Sequence, residues 1–386
     1  MNKILNITKD KRHIIIDFMG IKLSLKHFVD KKMYRKFVDK KVAEKTILII
    51  EPNGCHFETI TGLCKYCSEL GYNVDVLTRE PAEKIFENFK IKTTLRSYEC
   101  NPVTFDKIYK KYDFSQYERI IYNSKRIYFI SNGFSLDGYD LAEYYNSVKK
   151  GKKENIYLQH HIDKFNDSPT DIQIVLANPA KLPELDNLIV NCNYFKDFET
   201  KIKNKNDVTN FISIGELSKQ RRNSTLLIDA VKSLHNNGIE NFKITVIGIG
   251  ELDELPVDIR RYFNILGRVD YQTMFDELEK SDFVLPLLDP EIEAHKRYMD
   301  SGTSGTFQLV YGFNKPCIIH KTFADIYGFN EKNSIIYEYN DKLQEAMQNA
   351  INMSNEEYKI LKAELSYLEN SIDEISFKNM ERLLSE

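Results

Sequence analysis

The 386-residue sequence contains no run of about 18 uninterrupted apolar residues, so no membrane-spanning helix is expected. Its opening, MNKILNITKDKR, lacks the apolar stretch and small-residue cleavage site of a secretory signal, which predicts a cytoplasmic protein. Cysteine is sparse: the six residues Cys55, Cys64, Cys67, Cys100, Cys192 and Cys317 are scattered, which fits reduced thiols better than a disulfide framework. Cys64 and Cys67 form a CxxC inside an amphipathic helical pattern with no second ligand pair at matching spacing, so burial on one helix face is expected rather than zinc binding or redox chemistry. Gly248 and Gly250 form a GxG without the third glycine or the following helix that a dinucleotide fingerprint needs. No internal repeat at solenoid periods is found.

The length predicts two domains, and a hydrophobic content of 42% is enough to fill both cores. Net charge is −3, but residues 1–45 hold thirteen Lys or Arg against five Asp or Glu, which leaves the rest of the chain strongly acidic. A basic end on an acidic body attracts anions: lipid headgroups, a phosphorylated acceptor or nucleic acid. A solvated charged helix with no partner is the simpler alternative. Within this segment HIIIDFMGIKLSLKHF reads as a hairpin turning near Gly20, and VDKKMYRKFVDKKVAEK has helical spacing, with Met33, Phe37 and Val38 on an apolar side that could lie on a membrane surface.

From residue 46 strands and helices alternate, which implies parallel sheets built from βαβ units with ligand crevices at the carboxyl ends of their strands. TILIIE, NVDVLT, RIIYNS, RIYFISN, NIYLQHH and LIVNCN are expected as strands of a first domain, 46–203. ITGLCKYCSELGY, VTFDKIYKKY and LAEYYNSVKKGKK are its helices. The loop with Asn53, Gly54 and His56 belongs at its crevice, as do His160 and His161, placed either for hydrogen bonding and proton transfer or as ordinary surface residues. KNKNDVTN reads as an interdomain linker, and the alternation restarts in a second domain, 204–386, ending in a helix placed to cross back.

In that second half, YMDSGTSGTFQLVYGFNKPCIIHKTF runs from a loop of glycines and hydroxyls into a helix, a turn and a strand. Unpaired N–H groups at a helix start carry the positive end of the dipole, so Ser304, Gly305 and Thr306 read as an anion cradle or, equally, as an ordinary capped helix. Upstream, Gly215 is followed by Lys219, Arg221 and Arg222, and an arginine fork facing the cradle would clamp a diphosphate from two sides. Two solvated arginines are the alternative.

The series ISIGELSKQRRNSTLLIDAV, ITVIGIG, ILGRV, MFDELEKSDFVLPL and GFNKPCII, over residues 211–323, resembles the nucleotide-binding half of retaining GT-B glycosyltransferases. The resemblance implies an α/β fold of two Rossmann-like domains facing a central cleft, and transfer of a sugar from a nucleotide-diphosphate sugar to a glycan or lipid-linked acceptor. It places Arg221 and Arg222 with Gly54, Ser304, Gly305 and Thr306 on the donor diphosphate, and Gly267, Arg268 and Val269 with Gln308 on the nucleoside. His160, His161 and Asp300 fall at the reacting sugar. The family's two glutamates, eight positions apart, become Asp300 and Gln308 here, and Glu216 stands where an arginine often follows the glycine. No Asp-x-Asp triplet occurs, in agreement with a site that needs neither metal nor cofactor. The hairpin looks like the opening of bacterial enzymes that build surface polysaccharide or lipopolysaccharide, which implies work on the inner face of the cytoplasmic membrane and no nucleic-acid partner. A nucleotide-sugar epimerase-like enzyme and a catalytically inactive glycan-binding or assembly subunit are the rival expectations.

Overall fold

The alternation expected from residue 46 is present. The computed structural model describes residues 29–127, 140–145, 147–162, 172–195, 205–216, 218, 221–248 and 255–386, apart from the side chain of residue 142, together with the backbone of short strands within 5–25 and 130–139. Lys219, Gly250 and the Gly20 turn lie outside these residues. Two units divide the chain: Met1–Phe86 with Lys90–Gln159 and Ser168–Gln173, and Glu87–Phe89 with His160–Asp167 and Ile174–Glu386. Residues 174–203, expected with the first domain, therefore belong to the second unit.

The first unit opens with β1 (Leu5–Lys9), β2 (Ile14–Phe18) and β3 (Ile21–Leu25), an antiparallel three-stranded sheet whose β2–β3 register pairs Phe18 with Ile21. Helix α1 (Lys31–Val38) is capped by Asp30, whose side chain accepts from Lys32 N and Met33 N. Its apolar face is not free. Phe37 is fully buried against Tyr98, Tyr112 and Phe114, and Met33 and Val38 pack beside it. The expectation that this face lies on a membrane is thereby corrected: the spacing shows that a helix is two-sided, while the partner of its apolar side is fixed by tertiary structure. Lys40 secures the same corner, its ammonium 4.7 Å from the Tyr98 ring centre and 4.0 Å from buried Asp75, which Arg96 grips with both fork nitrogens at 2.7 and 3.1 Å.

Next come β4 (Thr46–Glu51), α2 (Phe57–Glu69), β5 (Asn73–Thr78), β6 (Leu95–Glu99), α3 (Pro102–Lys111) and β7 (Arg119–Tyr122). The short strands β8 (Arg126–Ile127) to β11 (Tyr139–Asp140) and helix α4 (Leu141–Tyr145) lead to β12 (Ile156–Gln159) and β13 (Ile172–Val175). The main sheet has the order β13-β12-β7-β4-β5-β6. Its central strand β4 is buried along its whole length, as a strand covered by helices on both faces must be. Cys64 and Cys67 are buried in α2, as expected. RIYFISN forms only two-residue strands where described, and α4 is much shorter than the helix expected there.

The second unit carries β14 (Thr209–Ile214), α5 (Ser224–Asn236), β15 (Phe242–Ile247), β16 (Phe263–Gly267), α6 (Tyr271–Lys280) and β17 (Phe283–Val284). It continues with α7 (Glu293–Asp300), α8 (Gly305–Gly312), β18 (Ile318–His320), α9 (Lys321–Tyr327), β19 (Ile335–Tyr337), α10 (Leu343–Asn352) and α11 (Asn355–Ser385). Parallel strands run in the order β16-β15-β14-β17, and a parallel bridge from Val284 to Cys317 connects them to the β18–β19 pair. The stretch expected as a linker is fastened down where it is described: Lys205 Nζ donates to the carbonyls of Ala350 and Ile351, and Asn206 Nδ2 donates to Asp282. LIVNCN is not a strand; it pairs only through Ile189 with Val175 and is otherwise held by α11, where Ser376 Oγ accepts from Asn191 N and Asn379 Nδ2 donates to the Ile189 carbonyl. Helix α11 starts in a full capping box of Ser354 and Glu357 and reaches this segment with its last turns.

Candidate functional site

Three glycines end three neighbouring strands of the second unit: Gly215 after β14, Gly248 after β15 and Gly267 on β16. Gly215 N donates to the Ile247 carbonyl and Gly248 N to the Gly267 carbonyl, so the strand ends are laced side by side. A Cβ built on Gly215 would lie 3.2 Å from Arg222 Nε, so the missing side chain makes room for the guanidinium.

Arg222 leaves a turn in which its own N–H donates to Ser218 O, just before Asn223 caps α5 by accepting from Leu226 N. It is only 9% exposed. Nε donates to Ile214 O at 3.3 Å and Nη1 to Arg221 O at 2.8 Å, while Nη2 donates to Ser304 Oγ at 3.3 Å and Thr306 Oγ1 at 3.1 Å. These last two residues begin α8, whose cap Ser304 also accepts from Thr306 N. Burial pulls the Arg222 pKa below its usual range, against the pull of Tyr298. A guanidinium stays charged at neutral pH even so. The structure thus sets one fixed positive charge beside the first turn of a helix, at the positive end of its dipole.

Arg221 turns elsewhere: its half-exposed side chain pairs with Glu216 at 3.8 Å. Of the two arginines, only Arg222 reaches the cradle. Gly305 is the first residue of α8. His161 pairs through its backbone with Gly302, Ile162 N donates to Ser301 O at 2.7 Å, and a Cβ on Gly302 would lie 3.2 Å from His161 Nδ1. His160 precedes this bridge, so it is His161 whose ring lies against the cradle loop. Asp300 ends α7 and is exposed, whereas Gln308, in the second turn of α8, is 1% exposed with Nε2 unpartnered. Gly267, exposed Arg268 and half-buried Val269 form the exit of edge strand β16.

Gly54 belongs to the first unit, on a loop with its own polar anchor. Glu51, fully buried at the end of β4, accepts from Asn53 N and Asn123 Nδ2, each at 2.6 Å, and from Ser124 Oγ at 3.0 Å. Asn123 Nδ2 also donates to His56 O at 2.9 Å, which helps to hold His56 in the left-handed conformation at φ 61°. Burial outweighs these donors and nearby His56, pushing the Glu51 pKa up to about 7.

Helix α7 supplies residues the sequence did not signal. His295 is buried, with Nδ1 accepting from Asp289 N at 2.9 Å, and burial holds its imidazole below the usual range, aided by the charge of Arg222. Arg297 lies over the ring of Tyr298 at 4.6 Å and donates to its hydroxyl, and Tyr298 also interacts electrostatically with Arg222. Among the described residues no cluster of three or more His, Cys, Asp or Glu is arranged to hold a metal ion, and no helix is long and apolar enough to cross a membrane.

No protein-family model and no curated protein matches the sequence. Solved structures match the fold. A point mutant of S. aureus TarM, in complex with fondaparinux, alpha-GlcNAc-glycerol and UDP, aligns over 87% of this chain and 99% of its own at 10% identity and a TM-score of 0.51. An alpha-glucosyltransferase in complex with UDP and a 13-mer DNA containing a HMU base aligns over 86% of this chain and 95% of its own at 12% identity, with the same TM-score of 0.51. The chain has the GT-B fold. Within the GT-B fold the laced glycines, Arg222 and the start of α8 all lie in the C-terminal Rossmann-like unit, and the Glu51 anchor lies in the N-terminal one.

Proposed function

We propose that this chain is a glycosyltransferase that moves a sugar from a nucleotide-diphosphate sugar to a glycan or lipid-linked acceptor. The observation that carries it is the Arg222 guanidinium, bonded to Ser304 and Thr306 at the first turn of α8, in a chain with the GT-B fold. When the glycosidic bond breaks, negative charge collects on the departing diphosphate, and a preorganised guanidinium with aligned N–H dipoles stabilises it without reorganising. The two hydroxyls that Arg222 now bonds are of a kind that phosphate oxygens replace. We read His161, whose ring lies beside Gly302, as the histidine at the reacting sugar, and Gln308, with Nε2 unpartnered, as an amide donor to the nucleoside.

Retention of configuration and transfer without metal belong to the same proposal. They draw on the resemblance of residues 211–323, and the fixed charge of Arg222 supplies what a cation otherwise would. Surface polysaccharide or lipopolysaccharide assembly at the inner face of the cytoplasmic membrane is proposed from the basic N-terminal segment. Because Phe37 is enclosed, contact with anionic lipid would use the exposed Lys31, Lys32, Arg35 and Lys36. Epimerase-like and non-catalytic roles gain no support from glycosyltransferase neighbours.

The experiment is a panel of UDP-, GDP- and ADP-sugars incubated with the full chain, scoring nucleoside diphosphate release with and without oligosaccharide acceptors. UDP is the first choice because both neighbours hold it. Release that rises with an acceptor supports transfer. Conversion of the donor sugar with no nucleoside diphosphate released would replace it with isomerisation.

A further inference from the structure

Tyr298 is 7% exposed, yet its hydroxyl faces two groups that can only donate. Arg297 Nη2 donates to it from the same helix, and the positive charge of Arg222 reaches it from the loop before α5. A guanidinium has no acceptor, so neither arginine can take the phenol's own proton. Among the described residues no hydrogen bond donated by that proton is present. The position is fixed by a further contact, since the Tyr298 carbonyl accepts from Tyr327 Oη at 2.6 Å, which also donates to Gly302 O at 2.8 Å. A buried hydroxyl with a proton to give, beside two positive forks and the start of α8, lacks one partner: an anionic oxygen.

We propose that Tyr298 binds and positions the donor diphosphate, gathering Arg222 and Arg297 at the cradle and donating its own proton to a phosphate oxygen. This presupposes the donor site proposed above. No bond to carbon is made or broken by the phenol. It presents a hydrogen bond to the ligand and, until the ligand arrives, keeps two like charges from driving each other apart.

The electrostatics agree. Burial would raise the phenol pKa, but the positive charges of Arg222 and Arg297 outweigh it and bring it below the ordinary tyrosine value. The groups around it are Arg222 and Arg221 from the loop before α5, His295 and Arg297 from α7, and Tyr327 from α9 with Asp300 near it. Because the shift is downward, the phenol gives up its proton at a lower pH than an ordinary tyrosine, and that loss would remove a donor and add a negative charge beside the ligand.

The test is calorimetric titration of the full chain with UDP from pH 7.5 to 9, comparing wild type, Tyr298→Phe and Arg297→Gln. Wild-type affinity should fall as the pH rises. Tyr298→Phe should bind about tenfold more weakly at pH 7.5, the loss expected for one hydrogen bond to a charged group, and should show a shallower fall, which also subtracts titration of UDP itself. Arg297→Gln removes one of the charges that acidify the phenol, so its fall should move to higher pH, a displacement that a purely structural role for Tyr298 would not produce. Tyr298→Phe binding as tightly as wild type, or keeping the wild-type pH dependence, overturns the role of Tyr298 while leaving the donor site intact. Absence of wild-type binding to UDP, GDP and ADP alike would remove the donor site itself, and this inference with it.

Discussion

A Cβ on Gly248 would lie 1.9 Å from the carbonyl oxygen of Gly215. Both residues have positive φ, 140° and 125°, and the two strand ends they terminate carry the loop that delivers Arg222. Gly248→Ala therefore faces a backbone oxygen it cannot displace, in a conformation that L-residues rarely adopt. Together these should cost about 3 kcal/mol or more. Urea unfolding followed by far-UV circular dichroism reads the loss, and an unchanged midpoint would mean that β14 and β15 separate at their ends more easily than the hydrogen bonds between them suggest.

Arg222→Ala should reduce turnover by on the order of a hundredfold to a thousandfold, the range for removing one preorganised charge donor. The structure adds a consequence: four internal hydrogen bonds go with the guanidinium, so the melting temperature should drop as well. Arg222→Lys keeps the charge but cannot hold Ile214 O, Arg221 O and the cradle hydroxyls from three nitrogens at once, and should recover only part of the rate. Near-normal turnover in the alanine variant would take the diphosphate away from this residue. Arg221→Ala, by contrast, loses an exposed pair with Glu216 and should behave almost as wild type in stability.

The meeting of Arg222 with the start of α8 was legible because both partners announce themselves: glycines after strands, hydroxyls before an apolar helical run, and arginine between them in chain order. Helix α7 was not. In EAHKRYMD only His295 and Tyr298 are buried, and two positions over eight residues are too few to declare a period. The apolar run LIVNCN reads alike as a strand or as a buried extended segment, and what decides is whether a neighbouring strand is there to pair with it. Helix α1 was foreseen as two-sided, but pattern alone cannot tell a lipid surface from Tyr98 and Tyr112. Glu51 closes an apolar strand, where a carboxylate normally marks the return to solvent; its burial depends on Asn123 and Ser124, some seventy residues away.

Glu51 makes stability depend on pH with a definite sign. Its folded pKa, about 7, lies above the ordinary carboxyl value of 4.5, so between these values the folded chain binds more protons than the unfolded one. The contribution is fully present below about 4.5 and is lost as the pH rises through about 7. Over that window it amounts to on the order of 3 kcal/mol. Denaturation midpoints taken between pH 5 and 8 should fall with pH on this account, and Glu51→Gln should flatten the slope even though it mismatches its amide with the Asn123 donor. A slope identical in the variant would place the titration elsewhere.

His161→Ala should lower kcat, on the order of a hundredfold if the imidazole assists at the reacting sugar, while the Kd for UDP stays close to that of wild type. The backbone bridge to Gly302 survives this substitution, so the cradle loop keeps its place and the effect reports on the ring alone. Gly302→Ala is the complementary variant: it retains the imidazole but sets a methyl 3.2 Å from Nδ1, displacing the ring by a few tenths of an ångström. Both variants should therefore lose turnover without losing donor. If His161→Ala weakens UDP binding and leaves kcat intact, the histidine belongs to the nucleotide's grip rather than to the chemistry, and the sugar must be sought on another side of Gly302.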